Sequence, residues 1–273
     1  MLSMKKFLRH PLVTSILFWL VFMVCLNVSY ILGSLLPGAI RPYGLGVFGT
    51  IFALLITYAA LRLDRKQFRD IGLRWERMTL LWLFGGFVTG AIIFGLIIGA
   101  IVCFTPMTIR AASATSLLSA LVFSSFALIP QAWMEEIAFR SYTLRRLQSA
   151  YGVRFTIYIG GLAFAMYHFI PGGNLIGAIL GTGIWGLAYG FLAVRSGGIA
   201  FPTGVHFALN LSQALFGMKE PYSALWNLVE GVPTGPFNLE TDQVGLITQL
   251  LVLVITVMLT ELYIRRHTNR EKN

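Results

Sequence analysis

The stretch Trp133-Met134-Glu135-Glu136-Ile137-Ala138-Phe139-Arg140 decides how the rest of the chain is interpreted. It places two adjacent carboxylates and an arginine at the end of an apolar run that begins at Ser116. An ionised side chain in hydrocarbon must find a partner or become neutral, so a polar cluster in such a run is costly. The stretch therefore indicates a polar site assembled inside a membrane protein.

Composition predicts that the whole chain is a membrane protein. The 273 residues are 56% hydrophobic and only 12% charged, whereas soluble domains contain about 25% charged residues. Apolar runs near the roughly 20 residues needed to cross a bilayer recur along the chain. We predict an all-α polytopic membrane helix bundle of about eight transmembrane helices, with residues 1–273 as a single membrane domain and residues 116–216 as the core that carries the site. The predicted spans are 11–36, 45–61, 79–104, 116–139, 155–170, 174–194, 199–216 and 244–264.

The basic residues predict how the helices are oriented. With eight crossings, only Arg41, Arg110 and Lys219 of the 21 Lys and Arg residues fall on one side of the bilayer. The positive-inside rule assigns the richer side to the cytoplasm. We therefore predict a multi-pass protein of the cell membrane with both termini in the cytoplasm. The same rule explains the net charge of +10, because the basic residues lie in loops beside the apolar runs. We therefore predict the lipid bilayer, and not nucleic acid, as a partner.

Glycine and proline predict where the chain turns and where helices approach closely. Four glycine pairs have the four-residue spacing that favours close helix contact in lipid: Gly86/Gly90, Gly95/Gly99, Gly177/Gly181 and Gly186/Gly190. Residues 217–242 contain four of the eleven acids and three prolines, and we predict an irregular loop on the outer side.

Two histidines within predicted spans can converge on the carboxylates. Glu135 and His168 lie equally far from Tyr151–Gly152, the natural turn between their helices, so an antiparallel hairpin places both at one height. His206 and Asn210 lie four residues apart on a later span and share a helix face.

Within each stretch the spacing is helical. Glu136 and Arg140 are four residues apart in the favourable acid-first order, which predicts an ion pair that is either structural or supports the site. Phe164 and His168 share a face in the same way.

Two kinds of hydrolysis fit these groups. Glu135 can act as general base on a water shared with His168, while His206 and Asn210 donate hydrogen bonds to an oxyanion. Alternatively, Zn²⁺ is held by a carboxylate and the imidazoles, with Glu135, His168 and His206 as ligands, and lowers the pKa of its water. Zinc and no cofactor are therefore both open, and both describe cleavage of an acyl bond, most simply a peptide bond.

Two other classes of function compete with hydrolysis. A non-catalytic membrane scaffold or immunity protein would keep the polar cluster as structure alone. An ion-coupled transporter would use the same acids and histidines to relay protons. Among other intramembrane protease chemistries, a paired-aspartate site is excluded because no aspartate lies within a predicted span.

The three motifs, in their order along successive hydrophobic segments, resemble those of a known family. It is the CPBP family of CAAX prenyl endopeptidases and bacteriocin-processing enzymes, also called the Abi family. The motifs are Glu135-Glu136-x-x-x-Arg140, Phe164-x-x-x-His168 and His206-x-x-x-Asn210.

The resemblance implies an intramembrane protease, a CAAX protease-like hydrolase that acts on a membrane-associated, prenylated or other peptide substrate at a site open to the cytosol. It implies that Glu135 and His168 activate water, and that His206 and Asn210 stabilise the oxyanion. It implies a supporting role for the remaining motif residues, Glu136, Arg140 and Phe164. The family is described both as metalloproteases and as glutamate proteases, and the sequence indicates neither one, nor an oligomeric state.

Overall fold

The long apolar runs fold as helices, because a helix satisfies its backbone polar groups within one segment. The structure, a computed structural model, describes residues 9–38, 40–112, 117–170, 172–219, 222, 224–231 and 239–270. The helices in these residues are α1 (Pro11–Ser34), α2 (Arg41–Asp64), α3 (Thr79–Phe104), α4 (Leu117–Arg140), α5 (Tyr142–Phe169), α6 (Leu175–Ser196), α7 (Ala200–Leu215) and α8 (Thr241–Arg270). A 3-10 turn (Phe68–Ile71) follows α2, and two short strands, β1 (Met107–Ala111) and β2 (Trp226–Glu230), complete the described part.

The all-α membrane bundle predicted from composition is confirmed. Within the described ranges, six segments are long and apolar enough to cross a membrane. The predicted number of eight is not confirmed. One of the six segments, Leu117–Phe169, contains both α4 and α5. In addition, α7 has 16 residues, fewer than the roughly 20 that cross a bilayer.

The helical conformation is broken inside α5 at Gly152. This residue has φ 79° and ψ 176°, a backbone conformation that glycine adopts readily because it has no Cβ. The break falls at the predicted turn, Tyr151–Gly152. Ser141 interrupts the helix earlier, with φ −103° and ψ −99° between α4 and α5. Ser141 and Gly152 therefore bound a separate helical segment between α4 and the rest of α5.

Glycines let α3 and α7 meet backbone to backbone. A Cβ at Gly86 would lie 2.1 Å from the carbonyl oxygen of Phe201, and a Cβ at Gly204 would lie 2.1 Å from that of Leu83. A Cβ at Gly90 would lie 2.6 Å from the carbonyl oxygen of Val205. The close contact predicted from the Gly86 and Gly90 spacing therefore exists, and it fixes the position of the helix that carries His206. Gly186 is also close to another helix, since a Cβ there would lie 3.1 Å from Cα of Gly161. The contacts predicted for Gly95/Gly99 and Gly177/Gly181 are not found among the described residues.

Polar contacts join three helices at one end of the bundle. Arg146 forms an ion pair with Asp64 and donates to the carbonyl of Arg9 at 2.7 Å. The Tyr142 hydroxyl also donates to Asp64, at 2.9 Å. These contacts join the starts of α1 and α5 to the end of α2. We call this the arginine-rich end.

The opposite end carries the two strands, and here the sequence prediction was partly wrong. β2 lies within the segment predicted to be an irregular loop, yet it pairs antiparallel with β1, from Met107 opposite Glu230 to Ala111 opposite Trp226. Pairing satisfies backbone groups that an irregular loop would leave to water. We call this the strand end. Residues 220, 221, 223 and 232–238 of the predicted loop lie outside the described residues.

We predict that Gly86→Ala destabilises the protein, whereas Gly95→Ala on the same helix does not. The added methyl at Gly86 forces α3 and α7 apart, which costs about 1–3 kcal/mol in the free energy of unfolding. At Gly95 no atom of the described residues lies within 4 Å of the new Cβ. Unfolding by sodium dodecyl sulfate in mixed micelles measures both variants. Equal stability of the two would contradict the packing described here.

Candidate active site

The site is built on a buried ion pair at the end of α4. Glu136 is 0% exposed and Arg140 is 2% exposed, and Nη1 of the arginine lies 3.5 Å from Oε1 of the glutamate. Arg140 also donates from Nη2 to the carbonyl of Gly186 on α6, at 3.2 Å. Its guanidinium lies 4.1 Å from the ring centre of Phe164 on α5, a distance suited to a cation–π contact. One side chain thus connects three helices.

His206 extends this cluster to α7. Its Nδ1 lies 2.9 Å from Oε1 of Glu136. A carboxylate only accepts hydrogen bonds, so Nδ1 carries a proton and donates. The imidazole stacks on the ring of Tyr189, with centres 4.7 Å apart and planes 15° apart. This stacking and the hydrogen bond direct Nε2 toward Glu135, whose Oε2 lies 3.6 Å away.

Glu135 has one partnered oxygen and one oxygen without a partner. The Tyr167 hydroxyl donates to Oε1 at 3.3 Å. Oε2 is buried and has no hydrogen-bond partner in the described part of the chain. A buried carboxylate oxygen in this state is costly, and 3.6 Å to Nε2 of His206 is too long for a hydrogen bond. The side chain is 13% exposed, so this oxygen is a candidate for binding a reacting molecule.

His168 lies beside this group without bonding to it. Its Nδ1 lies 3.0 Å from the carbonyl oxygen of Phe164, which only accepts, so Nδ1 donates and Nε2 of the neutral ring keeps a lone pair. The imidazole packs edge-on against the rings of Phe164 and Tyr167, with centres 4.6 and 4.7 Å away. Among the described residues, no hydrogen bond or ion pair joins His168 to Glu135. The predicted sharing of a water by these two residues stays a prediction.

Asn210 has a partner that the sequence did not indicate. Its Oδ1 accepts a hydrogen bond of 2.8 Å from Nζ of Lys219, which follows α7. Burial lowers the pKa of Lys219, and the negative charge of Glu135 acts in the opposite direction. The sequence presents Lys219 only as a charge on the basic-poor side. Lys219 lies nine residues after Asn210 and beyond the end of α7, so helical spacing does not link the two residues.

Three other contributors were missed by sequence reasoning. Tyr167 binds Glu135, Tyr189 stacks on His206, and the carbonyl of Gly186 accepts from Arg140. Tyr167 could have been found, because it lies as far from Tyr151 along the chain as Glu135 does and therefore faces it in the hairpin. Tyr189 and Gly186 lie on α6, where no acid or histidine draws attention to the helix.

A cavity of about 360 Å³ adjoins the site at the strand end. Gln131 and Lys219 line it together with Tyr222 and Arg41. Gln131 is one helical turn before Glu135, so the cavity begins about 6 Å along α4 from the carboxylate. The resemblance implies an opening to the cytosol, whereas this cavity lies at the end opposite to the arginine-rich end. On the predicted orientation, that is the outer side.

The donor set does not form a zinc site as it stands. Within the described ranges, no group of three His, Cys, Asp or Glu side chains is placed to hold one metal ion. Glu135 and His206 are close together, but His168 is not gathered with them. Zinc binding by these three residues stays a prediction.

Comparison with known families confirms the resemblance. Residues 115–212 match the family model of the type II CAAX prenyl endopeptidase Rce1-like proteins. The matched segment contains all three motifs, from Glu135 to Asn210, which is consistent with the CPBP family. A search of curated proteins finds no match for the chain.

We predict that Arg140→Ala lowers the free energy of unfolding by about 3–5 kcal/mol, because it leaves the charge of Glu136 buried without its partner. Arg154→Ala is the matched control. Arg154 also pairs with a glutamate, Glu261, but is 58% exposed, so the unfolding midpoint stays close to that of the wild type. Unfolding in mixed micelles, followed by circular dichroism, compares the two variants. A midpoint for Arg140→Ala equal to that of Arg154→Ala would show that the buried pair does not stabilise the fold.

Proposed function

We propose, from the match of residues 115–212 to prenyl endopeptidases, that this protein is an intramembrane endopeptidase in which Glu135 activates water. The matched family indicates a protease, and the apolar helices indicate an integral membrane protein. One observation supports the role of Glu135 above all others. Its Oε2 faces the imidazole of His206 without a hydrogen-bond partner among the described residues, and its side chain is 13% exposed, whereas Glu136, whose Oε2 also lacks a partner there, is 0% exposed. A water molecule that donates to this oxygen satisfies it and becomes a better nucleophile.

The first step is attack by water on the peptide carbonyl. Glu135 Oε2 takes a proton from the water as the oxygen bonds to the carbonyl carbon. Tyr167 holds the other carboxylate oxygen and so fixes the direction of Oε2. Nε2 of His168, which keeps a lone pair in the tautomer described above, is the second acceptor for the same water.

The second step is collapse of the tetrahedral intermediate. Nδ2 of Asn210 and, when protonated, Nε2 of His206 donate hydrogen bonds to the oxyanion. The proton that Glu135 took from water then passes to the leaving amine as the C–N bond breaks. Water supplies the new carboxyl oxygen, so all atoms and protons balance. Glu136 takes no proton in this scheme, because its side chain is 0% exposed and its Oε1 is held by Arg140 and His206.

The substrate class that fits is a peptide held at the membrane. The site lies among apolar helices, so the scissile bond has to reach it from a segment associated with the bilayer. The eukaryotic branch of the resembled family cleaves after a prenylated cysteine. A prenylated peptide and an unmodified membrane-associated peptide are therefore the two probes of choice.

We expect Glu135→Gln, Glu135→Ala and His206→Ala to lower the cleavage rate by at least about 100-fold without unfolding the protein. The assay uses purified protein in liposomes with a panel of quenched fluorogenic peptides, each made with and without a farnesyl group. Glu261→Gln is the control, because this carboxylate lies on α8 and pairs with Arg154. Its cleavage rate should equal that of the wild type.

The same assay can refute the proposal in two ways. Full activity of Glu135→Ala would remove the proposed base. Absence of cleavage by the wild type across the whole panel, together with proton flux that Glu135→Gln abolishes, would favour a transporter instead.

A further inference from the structure

Lys219 belongs to none of the three motifs, yet the fold brings it back to the site. After α7 ends at Leu215, Gly217 adopts a left-handed conformation with φ 69°. The amide of Met218 then donates to the carbonyl of Gln213 at 2.8 Å, and the chain reverses over the helix end. This is the geometry of a Schellman motif, which needs glycine at the left-handed position. The reversal places the next residue, Lys219, beside Asn210.

The hydrogen bond from Lys219 determines which way the amide of Asn210 faces. An ammonium group has three donors and no acceptor, so only the amide oxygen can face it. Nζ lies 2.8 Å from Oδ1. The amide is planar, and Nδ2 therefore points away from Nζ of Lys219. Without the lysine, the oxygen and nitrogen ends of the amide could exchange places.

Lys219 also lies where its charge can act on the site. It lies at the boundary between the cavity of the strand end and the polar cluster. Burial lowers the pKa of Lys219, and the negative charge of Glu135 partly offsets this effect. A cation there lowers the energy of negative charge that develops near Asn210.

We propose that Lys219 is a positioning residue that holds the amide of Asn210 so that Nδ2 is presented to the oxyanion. This inference rests on the hydrolase function proposed above. It assigns a role to a residue outside the matched segment 115–212.

The test is a double-mutant cycle between Lys219 and Asn210. The cycle compares Lys219→Met, Asn210→Ala and the double variant, using the peptide that the wild type cleaves fastest in the panel. We expect Lys219→Met to lower kcat by about 10- to 100-fold, because misplacing an oxyanion donor costs at most as much rate as removing that donor. KM should stay within about twofold, and the double variant should be no slower than Asn210→Ala alone.

Two further variants and one unfolding measurement test whether Lys219 acts by positioning Asn210, by a general effect of charge or through the stability of the fold. Lys219→Arg keeps a cationic donor and should recover part of the lost kcat. Arg41→Met removes the other cation that lines the cavity and should leave kcat unchanged. Thermal unfolding of Lys219→Met close to that of the wild type would show that the loss of kcat is not a loss of fold.

Three outcomes would overturn the inference while the hydrolase proposal stands. Lys219→Met could retain full kcat while Asn210→Ala is inactive, or the two losses could multiply in the double variant. Arg41→Met could lose as much kcat as Lys219→Met, which would indicate a general effect of charge. Full activity of Glu135→Ala, in contrast, would contradict the hydrolase proposal itself.

Discussion

The buried pair between Glu136 and Arg140 is the interaction on which the rest of the site depends. Two charges inside an apolar bundle are tolerated only if each has enough partners. Arg140 finds them in the carbonyl of Gly186 and the ring of Phe164. Glu136 finds its second partner in His206. The requirement to satisfy one ion pair therefore joins α4, α5, α6 and α7 around a single point, and it fixes the imidazole that faces Glu135.

This arrangement gives the two adjacent carboxylates different surroundings. Glu136 is 0% exposed, and its Oε1 faces both Arg140 and His206, while its Oε2 is buried without a hydrogen-bond partner among the described residues. Glu135 is held by a neutral hydroxyl on one side only, with its other oxygen buried and unpartnered among the described residues. The difference between them is access, since the side chain of Glu135 is 13% exposed and that of Glu136 is 0% exposed. Neighbours in sequence differ in this way because one helical step turns them toward different helices.

Much of this follows from the sequence, and the physical reasons for the exceptions are specific. The pair of Glu136 and Arg140 and the turn at Gly152 follow from local spacing, which sequence displays directly. The hairpin register also follows, since Tyr167 reaches Glu135 across it. The pairing of β1 with β2 could not be predicted, because it joins segments more than one hundred residues apart. Lys219 was missed for a related reason, since a reversal at a helix end, and not helical spacing, brings it to Asn210.

The most direct test of the account is an experimental structure of Glu135→Gln with an uncleaved peptide bound. The account predicts that the scissile carbonyl carbon lies within reach of one water molecule bound to residue 135. The carbonyl oxygen should then lie about 3 Å from Nδ2 of Asn210, the usual length of such a hydrogen bond. A peptide whose scissile bond lies beyond the reach of one bridging water from residue 135, with His206 turned away from it, would contradict the account.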